Sequence, residues 1–423
     1  HAGPCAGPAA AMHRYRPDHV DGRSHSFEHY GLAMRILIVH NAYQHRGGED
    51  GVVEAEAELL RSHRHAVELY QKDNRDIGGM SRLRLLTDTV WSRQTVADIS
   101  GILGRARPDV IHVHNTFPLI SPSLYWAAER AGIPVVQTLH NFRLLCPQAM
   151  FLRQESVCED CLGRAPWRGV TRACYRGSVA QSAVLAGMMM THRALGTWHN
   201  KVTRYIALNE FCRRKFVEGG LPAERVVVKP NFVDFAPPPA GERSEFLFVG
   251  RLSAEKGIRT LVDAASKVPD ARIAVAGSGP EASLLTSVAN IDGLGALPSA
   301  AVRERMVAAS ALVLPSIWYE NFPRTLVEAF GCGLPVIASR IGALAELVED
   351  GVTGLLFEPR NADDLASKLR WAHSHPAEMA RMGRAARAHY ETHFTAAGNY
   401  RQLMAIYDGA IAAVGRVSHG SAI

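Results

Sequence analysis

The sequence predicts an α/β protein built as two doubly wound lobes that face each other across a cleft. Three observations carry this. Short apolar runs of strand length alternate with longer stretches of helical period, the pattern of βα units in a parallel sheet. The series halts at Ala236-Pro237-Pro238-Pro239-Ala240-Gly241, a stiff linker, and restarts at Phe246. At 423 residues the chain exceeds one ordinary domain. The expected boundaries are a first lobe over 34–235 with a Cys-rich insert at 146–174, a linker at 236–243 and a second lobe from 244 to 393.

Composition narrows the class. Apolar residues make up 47% and charged residues 21%, enough for filled cores and too apolar for global disorder. A formal charge of +6 suits an anionic ligand or an anionic membrane surface and is too weak to argue for nucleic acid. No run approaches the ~20 apolar residues of a membrane-spanning helix, and no secretory pattern is visible. Residues 1–33, rich in His, Pro, Gly and Arg without periodicity, read as disordered or as an upstream extension before Met34. Seven cysteines without a secretory pattern point to a reducing, cytoplasmic compartment.

In the first lobe, Arg35 to His40 is a buried strand. A loop then runs to Gly47-Gly48, and Glu49 opens a helix to about Ser62. A glycine pair at a helix N-terminus can offer free N–H groups to an anion, or can be an ordinary tight turn. It is not a G-x-G-x-x-G fingerprint. A strand follows at Ala66–Tyr70, then one helix from Met80 to Leu103 with Leu83 and Leu86 beside Arg82 and Arg84. Such a face can lie on anionic lipid, but the reading preferred is core on one side and solvated charge on the other. The strands Val110–His114 and Val135–Leu139 both end in histidine, at His114 and His140. In a parallel sheet their C-terminal ends share the ligand edge, so His140 is a functional candidate.

Cys146, Cys158, Cys161 and Cys174 follow, in loop-like sequence. The central C-x-x-C lets two thiolates hold one tetrahedral Zn²⁺, and the outer pair supplies the rest. A redox dithiol, two disulfides or an Fe–S cluster are the alternatives. Four cysteines would close the metal shell, so the zinc would be structural and no catalytic metal is expected. A long helix is expected over Ser178–Trp198, a strand at Tyr205–Leu208, a helix capped by Asn209, and a strand at Val226–Lys229.

In the second lobe, the strand Phe246–Gly250 runs into a loop carrying Arg251 and Lys256, two cations beside a helix N-terminus and suited to a diphosphate. Ile273–Ala276 is a strand before a glycine turn and a helix, and Pro298–Ala309 is helical. The stretch Leu314–Ile337, LPSIWYENFPRTLVEAFGCGLPVI, then reads as the end of a strand, a loop, a helix from Arg324 to Phe330 with Pro323 in its first turn, and a further strand to Ser339. Glu320 in the loop and Glu328 in the second turn bracket the helix start, at the sheet edge where ligands bind. Thr353–Phe357 is a last strand, and all that follows Asn361 reads helical to about Val414.

FLFVGRLSAEKG, VAGSGPE, LPSIWYENFP and EAFGCGLPVIASRIGALAELVEDGVTGLLFEP, in this order, resemble the retaining glycosyltransferases of family four, with the GT-B fold and the E-x7-E pattern, here Glu320 to Glu328. RGGED, PDVIHVHN and TLHNFRLLC fit the same family more loosely, and the resemblance runs from about Met34 to Tyr407. It implies a nucleotide-sugar donor and a saccharide or lipid-linked saccharide acceptor, in cell-surface polysaccharide synthesis at the inner membrane face. Arg251 and Lys256 would clamp the donor diphosphate, Glu328 would take the ribose hydroxyls, and Glu320 would face the donor sugar. The backbone N–H groups of Asn321, Phe322, Pro323's successors and Thr325 would meet sugar and phosphate. His140 would lie near the reacting carbon and Gly47-Gly48 would form a phosphate loop. The last helix, about 394–414, would cross back to the first lobe, leaving a tail at 415–423. The four-Cys insert is not a general feature of the family. No D-x-D sequence occurs, so no metal-bound diphosphate is implied. A nucleotide-sugar epimerase on the same architecture and a zinc-dependent nucleic-acid binder are the competing readings. The combination of GRLSAEKG with E-x7-E disfavours the first. The second lacks a basic cluster, since Arg153, Arg164, Arg168 and Arg172 are widely spaced.

Overall fold

Two parallel six-stranded sheets organise the chain, in a computed structural model that describes residues 33–44, 47–235, 241 and 243–420, with side chains to 415. The segment 1–32, the linker core 236–240 and the last tail residues lie outside the described residues. In the first lobe the strands are β1 (Arg35–Ala42), β2 (Ala66–Asp73), β3 (Val110–Val113) and β4 (Val135–Thr138), then the small antiparallel hairpin β5 (Leu152–Arg153) and β6 (Ser156–Val157), then β7 (Arg204–Ala207) and β8 (Val226–Val228). The second lobe has β9 (Glu245–Val249), β10 (Ile273–Ala276), β11 (Ile291–Gly295), β12 (Ala309–Leu314), β13 (Val336–Ser339) and β14 (Gly354–Phe357).

The sheet orders are β2-β1-β3-β4-β7-β8 and β11-β10-β9-β12-β13-β14. Both are doubly wound, and each reverses direction once. The reversal falls between β1 and β3 in the first lobe and between β9 and β12 in the second. At such a switch point the two outgoing loops diverge and leave a crevice for a ligand. The central strands are nearly all apolar because helices cover both faces: Ile36 to Val39, Phe246 to Phe248 and Ala311 to Val313 are all buried. Each such fully buried side chain contributes about 1.5–3 kcal/mol relative to exposure.

Several elements differ from expectation. The single helix over Met80–Leu103 is two, Arg82–Val90 and Arg93–Ala106. Trp91 is extended between them, and the Ser92 side chain caps the second helix by accepting from Thr95 N–H. Ser121 Oγ accepts from Ser92 N–H at 2.9 Å, and Ser123 Oγ donates to Ser92 C=O at 3.1 Å, so the break is pinned from a distant loop. Leu83 is 72% and Leu86 42% exposed, so these leucines do not form the core face expected of them. The long helix near Met190 ends at Ala194, and Gly196 (φ +67°) separates it from a short turn of helix, Thr197–Asn200. β11 has no apolar alternation in IDGLG and pairs with β10 at the sheet edge, and the helix expected after the Gly277 turn is a 3-10 turn, Ala282–Ser287. Pro323 is the N-cap of the helix Arg324–Gly331 rather than part of its first turn. The C-terminal region is three helices, Ala362–Ser374, Pro376–His393 and Ala396–Gly420. The last of them follows the second lobe in sequence but packs Leu403, Tyr407 and Ala410 against Ile36, Ile38, Val110 and Val136 of the first sheet.

Candidate functional site

The switch-point loops after β9 and β12 meet backbone to backbone. Gly257 has φ +74°, and a Cβ there would lie 1.8 Å from Pro315 C=O, so only glycine lets the loops touch. Ile317 N–H also donates to Glu255 C=O at 3.0 Å. This contact delivers Lys256 to Glu320, with Nζ donating to Oε1 at 2.6 Å. Glu320 is buried, and the same Oε1 accepts from Ser316 Oγ at 2.7 Å and Trp318 Nε1 at 3.1 Å. The carboxylate is thus locked by three donors. Arg251 is largely exposed and pairs with Glu255 of its own loop, with Nε on Ser253 Oγ at 3.2 Å. The two cations expected to act together are each engaged by a different carboxylate.

Glu328 projects from the helix Arg324–Gly331, where Arg324 Nε donates to its Oε1 at 2.9 Å, an i,i+4 pair. Burial pushes the Glu328 carboxyl above its ordinary range, against the opposing pull of Arg324. Thr325 is half-buried at the second position of this helix. The helix start has no side-chain cap. Phe322, half-buried, packs its ring against the second-lobe core, 6.2 Å from Phe394.

In the first lobe, the glycine pair is not open in the way expected. Gly47 N–H donates to Asp50 Oδ2 at 2.7 Å, a carboxylate three residues on that takes the role of cap. Asp50 Oδ1 lies 2.7 Å from His40 Nε2. A Cβ on Gly48, by contrast, would meet nothing within 4 Å. Glu49 hydrogen-bonds Tyr43 OH at 2.8 Å, and burial pushes its carboxyl up to about 8.

His140 ends a buried polar chain. Its Nε2 lies 2.9 Å from His114 Nδ1, and His114 Nε2 lies 3.3 Å from Glu56 Oε2. Lys229 Nζ donates to Glu56 Oε1 at 2.6 Å and to Asn399 Oδ1 at 3.0 Å, the latter on the C-terminal helix. His112 sits alongside, bonded to Tyr407 OH at 2.7 Å and Thr138 Oγ1 at 2.8 Å. Glu56, Lys229 and His112 are almost wholly buried. The His114–Glu56 contact lacks hydrogen-bond geometry, so those two buried atoms are left without a hydrogen bond, while between His114 and His140 one ring nitrogen donates to the other. Burial holds His114 well below the usual imidazole range and His140 at about 3, so both are neutral near pH 7. Glu56, His112 and His114 are close enough to suggest a metal site, but Lys229 already supplies the cation there.

These lowered histidines predict acid sensitivity. Because the folded state of His112, His114 and His140 binds fewer protons than the unfolded state, their contribution is complete above the unfolded pKa of ~6.5 and is lost as pH falls toward the folded values. The unfolding free energy, from denaturant titrations, is expected to fall below about pH 6.5 by up to ~1.4 kcal/mol per pH unit for each buried histidine, partly offset by Glu49, whose raised carboxyl costs stability as pH rises toward 8.

The two halves converge through Asn321. Its Nδ2 donates to Leu139 C=O at 2.7 Å, and its own C=O accepts from Asn209 Nδ2 at 2.6 Å. Glu320 and His140 are therefore the chain neighbours of two hydrogen-bonded residues on opposite lobes. A Cβ on Gly51, in the first helix of the first lobe, would lie 2.8 Å from Arg324 Nη1, so the lobes also approach there.

Residues 232–389 match the glycosyl transferases group 1, and residues 47–236 match glycosyltransferase family 4. The chain belongs to the family-four, group 1 glycosyltransferases. Its fold is GT-B: sucrose-phosphate synthase from Thermosynechococcus elongatus superposes with a TM-score of 0.67 at 19% identity, over 90% of this chain and all (100%) of the other. HepE from Anabaena, crystallised in complex with UDP-glucose, superposes with a TM-score of 0.60 at 18% identity, over 88% and 98% of the two chains. In sequence, the chain is 29% identical to the gpi3 subunit of phosphatidylinositol N-acetylglucosaminyltransferase from Schizosaccharomyces pombe over 50% of each chain. It is 26% identical to glycogen synthase of Mycobacterium tuberculosis over 68% of this chain and 66% of that one. The chain thus spans between half and two-thirds of these two curated relatives.

Beside this candidate site lies a cavity of about 450 Å³, lined from the first lobe by Tyr43, Asn74, Leu86, Phe117, Tyr175 and Arg176 among others, and reached by Arg251 from the second. The four insert cysteines, Cys146, Cys158, Cys161 and Cys174, line one small cavity and carry no disulfide. The residues that sequence reading passed over are Glu56, Lys229 and Asn399, together with the Asn209 contact to Asn321, a residue read only as a helix cap. Each looks like an ordinary helix or loop residue, and only burial marks it: a Lys and a Glu both almost wholly buried are rare unless paired.

Proposed function

We propose that the protein transfers a sugar from a nucleoside-diphosphate sugar to a saccharide or lipid-linked saccharide acceptor, with retention of anomeric configuration. The observation that carries this is the Lys256–Glu320 pair set against His140 through the Asn321–Leu139 hydrogen bond. Departure of a nucleoside diphosphate leaves charge on phosphate oxygen, and a fixed ammonium beside an uncapped helix start stabilises it. Lys256 serves that oxygen, with Arg251 swinging in from the exposed rim. Glu328 accepts the ribose hydroxyls. Glu320, locked on Oε1, presents its other oxygen to the sugar. His140, neutral and held through Nε2 by His114, offers its other ring nitrogen to a sugar hydroxyl; an imidazole at about 3 is too weak a base to take the acceptor proton, which passes to the leaving phosphate in a front-face displacement.

The acceptor side fits an amphipathic molecule. The 450 Å³ cavity mixes Leu85, Leu86 and Phe117 with Arg176 and Arg251, and Leu83 stands exposed on the same short helix. Among the described residues no helix is long and apolar enough to cross a membrane, so contact with the inner membrane surface would be peripheral, through this rim. The name of the yeast relative joins a sugar transfer to a phosphatidylinositol acceptor, which supports a lipid-linked reading.

A panel of nucleotide sugars screened by thermal shift, followed by product analysis with the responding donor, tests this. One donor is expected to raise the melting temperature, because it binds only the folded state. Glu328→Ala is expected to weaken that donor about 10–100-fold, the loss of one or two hydrogen bonds to a charged acceptor. No stabilising donor, or an epimerised donor formed without acceptor, would refute the transferase reading.

A further inference from the structure

We propose that Cys146, Cys158, Cys161 and Cys174 bind a single structural Zn²⁺ that holds together a strut between the two lobes. The four residues come from three separate stretches, span 146 to 174, and line one cavity of about 20 Å³. That space is on the order of one atom-sized probe. Four sulfurs favour zinc or an iron–sulfur cluster, and metal analysis separates the two.

The backbone is shaped for convergence. Ala149 N–H donates to Cys146 C=O at 2.8 Å and Arg164 N–H to Cys161 C=O at 3.2 Å, so a tight turn follows each of these cysteines. Gly163, two residues after Cys161, takes φ +66°. Cys174 N–H donates to Gly169 C=O at 2.9 Å, which folds the fourth cysteine back onto the short helix Trp167–Thr171. A Cβ on Gly169 would lie 2.8 Å from Pro147 Cγ, so glycine brings that helix against the Cys146 turn. Arg168 and Arg172 stand at the same cavity, paired with Asp160 between Cys158 and Cys161, and would offset the double negative charge of a zinc tetrathiolate. The sulfurs are more widely set than a closed shell, since the ligand atoms grouped within 4.8 Å of one another are those of Glu56, His112 and His114; zinc at ~2.3 Å from each sulfur would draw them in.

The segment has little else to hold it. Its regular structure is a hairpin of two-residue strands and a five-residue helix. Yet it reaches across to the second lobe. Ser156 Oγ accepts from Arg360 Nη1 at 3.0 Å, Glu155 lies 4.0 Å from Arg259, and the buried Phe151 ring stands edge-on to Tyr319 at 6.2 Å. Tyr319 directly precedes Glu320. A metal at the four cysteines would therefore stiffen the support behind that residue from the opposite lobe.

The full chain, purified under reducing conditions without chelator, tests this by elemental analysis, which needs no variant and no activity. One zinc per chain is expected, released in step with a mercurial thiol reagent. Growth with cobalt in place of zinc is expected to give the visible bands of a tetrahedral cobalt tetrathiolate. The paired variant Cys158→Ser/Cys161→Ser is expected to lose the metal and to become protease-sensitive within 146–174. Substoichiometric metal with four alkylatable insert thiols in the native chain would overturn the proposal. So would a mass lower by four hydrogens, marking two disulfides, or iron with inorganic sulfide.

Discussion

Lys256→Ala is expected to lower kcat/KM for sugar transfer by about 10²–10³-fold, the loss seen when one fixed donor to developing charge is removed. The argument rests on position. Gly257 lets the loop touch Pro315, and that contact sets the Lys256 ammonium 2.6 Å from Glu320, beside the switch-point crevice. The variant also leaves a buried carboxylate with only Ser316 and Trp318 as donors, which costs stability. The double variant Lys256→Ala/Glu320→Gln separates the two effects. It is expected to regain melting temperature but not turnover. Wild-type-like turnover in Lys256→Ala, measured with the donor found by thermal shift, would remove Lys256 from the donor site.

Glu56→Ala is expected to destabilise the fold by about 3–5 kcal/mol, because it strands the Lys229 ammonium in a site almost wholly closed to water. The pH dependence has a defined sign. Burial alone would raise the Glu56 carboxyl, but Lys229 and His114 outweigh it and hold it below the ordinary range. Its stabilisation is therefore complete above the unfolded carboxylate pKa and is lost as pH falls through the lower folded value. Denaturant titrations should show that the difference between wild type and variant is largest at neutral pH and shrinks in acid; a difference independent of pH would contradict the ionised pair. Glu56→Leu/Lys229→Met removes both charges and is expected to recover much of the stability. It is not expected to recover turnover, since the carboxylate beside His114 that orders the His114–His140 pair is then gone, and kcat should fall more than KM rises.

Much of the frame was legible along the chain because strand and helix periods, proline and glycine act locally. Val336–Ser339 and Ile273–Ala276 form the predicted strands, and Asn209 caps its helix through Cys212 N–H, each from signals within a few residues. Where local signals conflict, reading failed. Ser92 looked like an interior helix residue, and it is a cap because Ser121 and Ser123, some thirty residues on, bind its backbone. β11 carries no strand pattern at all, and β10 supplies its partner groups. Gly47-Gly48 was compatible with an anion loop or a tight turn, and the Gly47 N–H is taken by Asp50.

Residue types and short spacings were enough to establish two βα series, the E-x7-E pair, the Arg251–Lys256 loop and the family, because those depend on backbone torsion and side-chain chemistry over a turn or two. They could not establish how these parts meet. That Lys256 lies on Glu320, that Asn321 ties that loop to Leu139, and that the chain from His140 through His114 to Glu56 ends on Lys229 and the C-terminal helix are contacts between residues 26 to 182 positions apart. Loop closure over such lengths costs little more for one pairing than for another. The choice among pairings therefore falls to core packing and to the cost of leaving buried charge unpaired, and both exist only once the chain has folded.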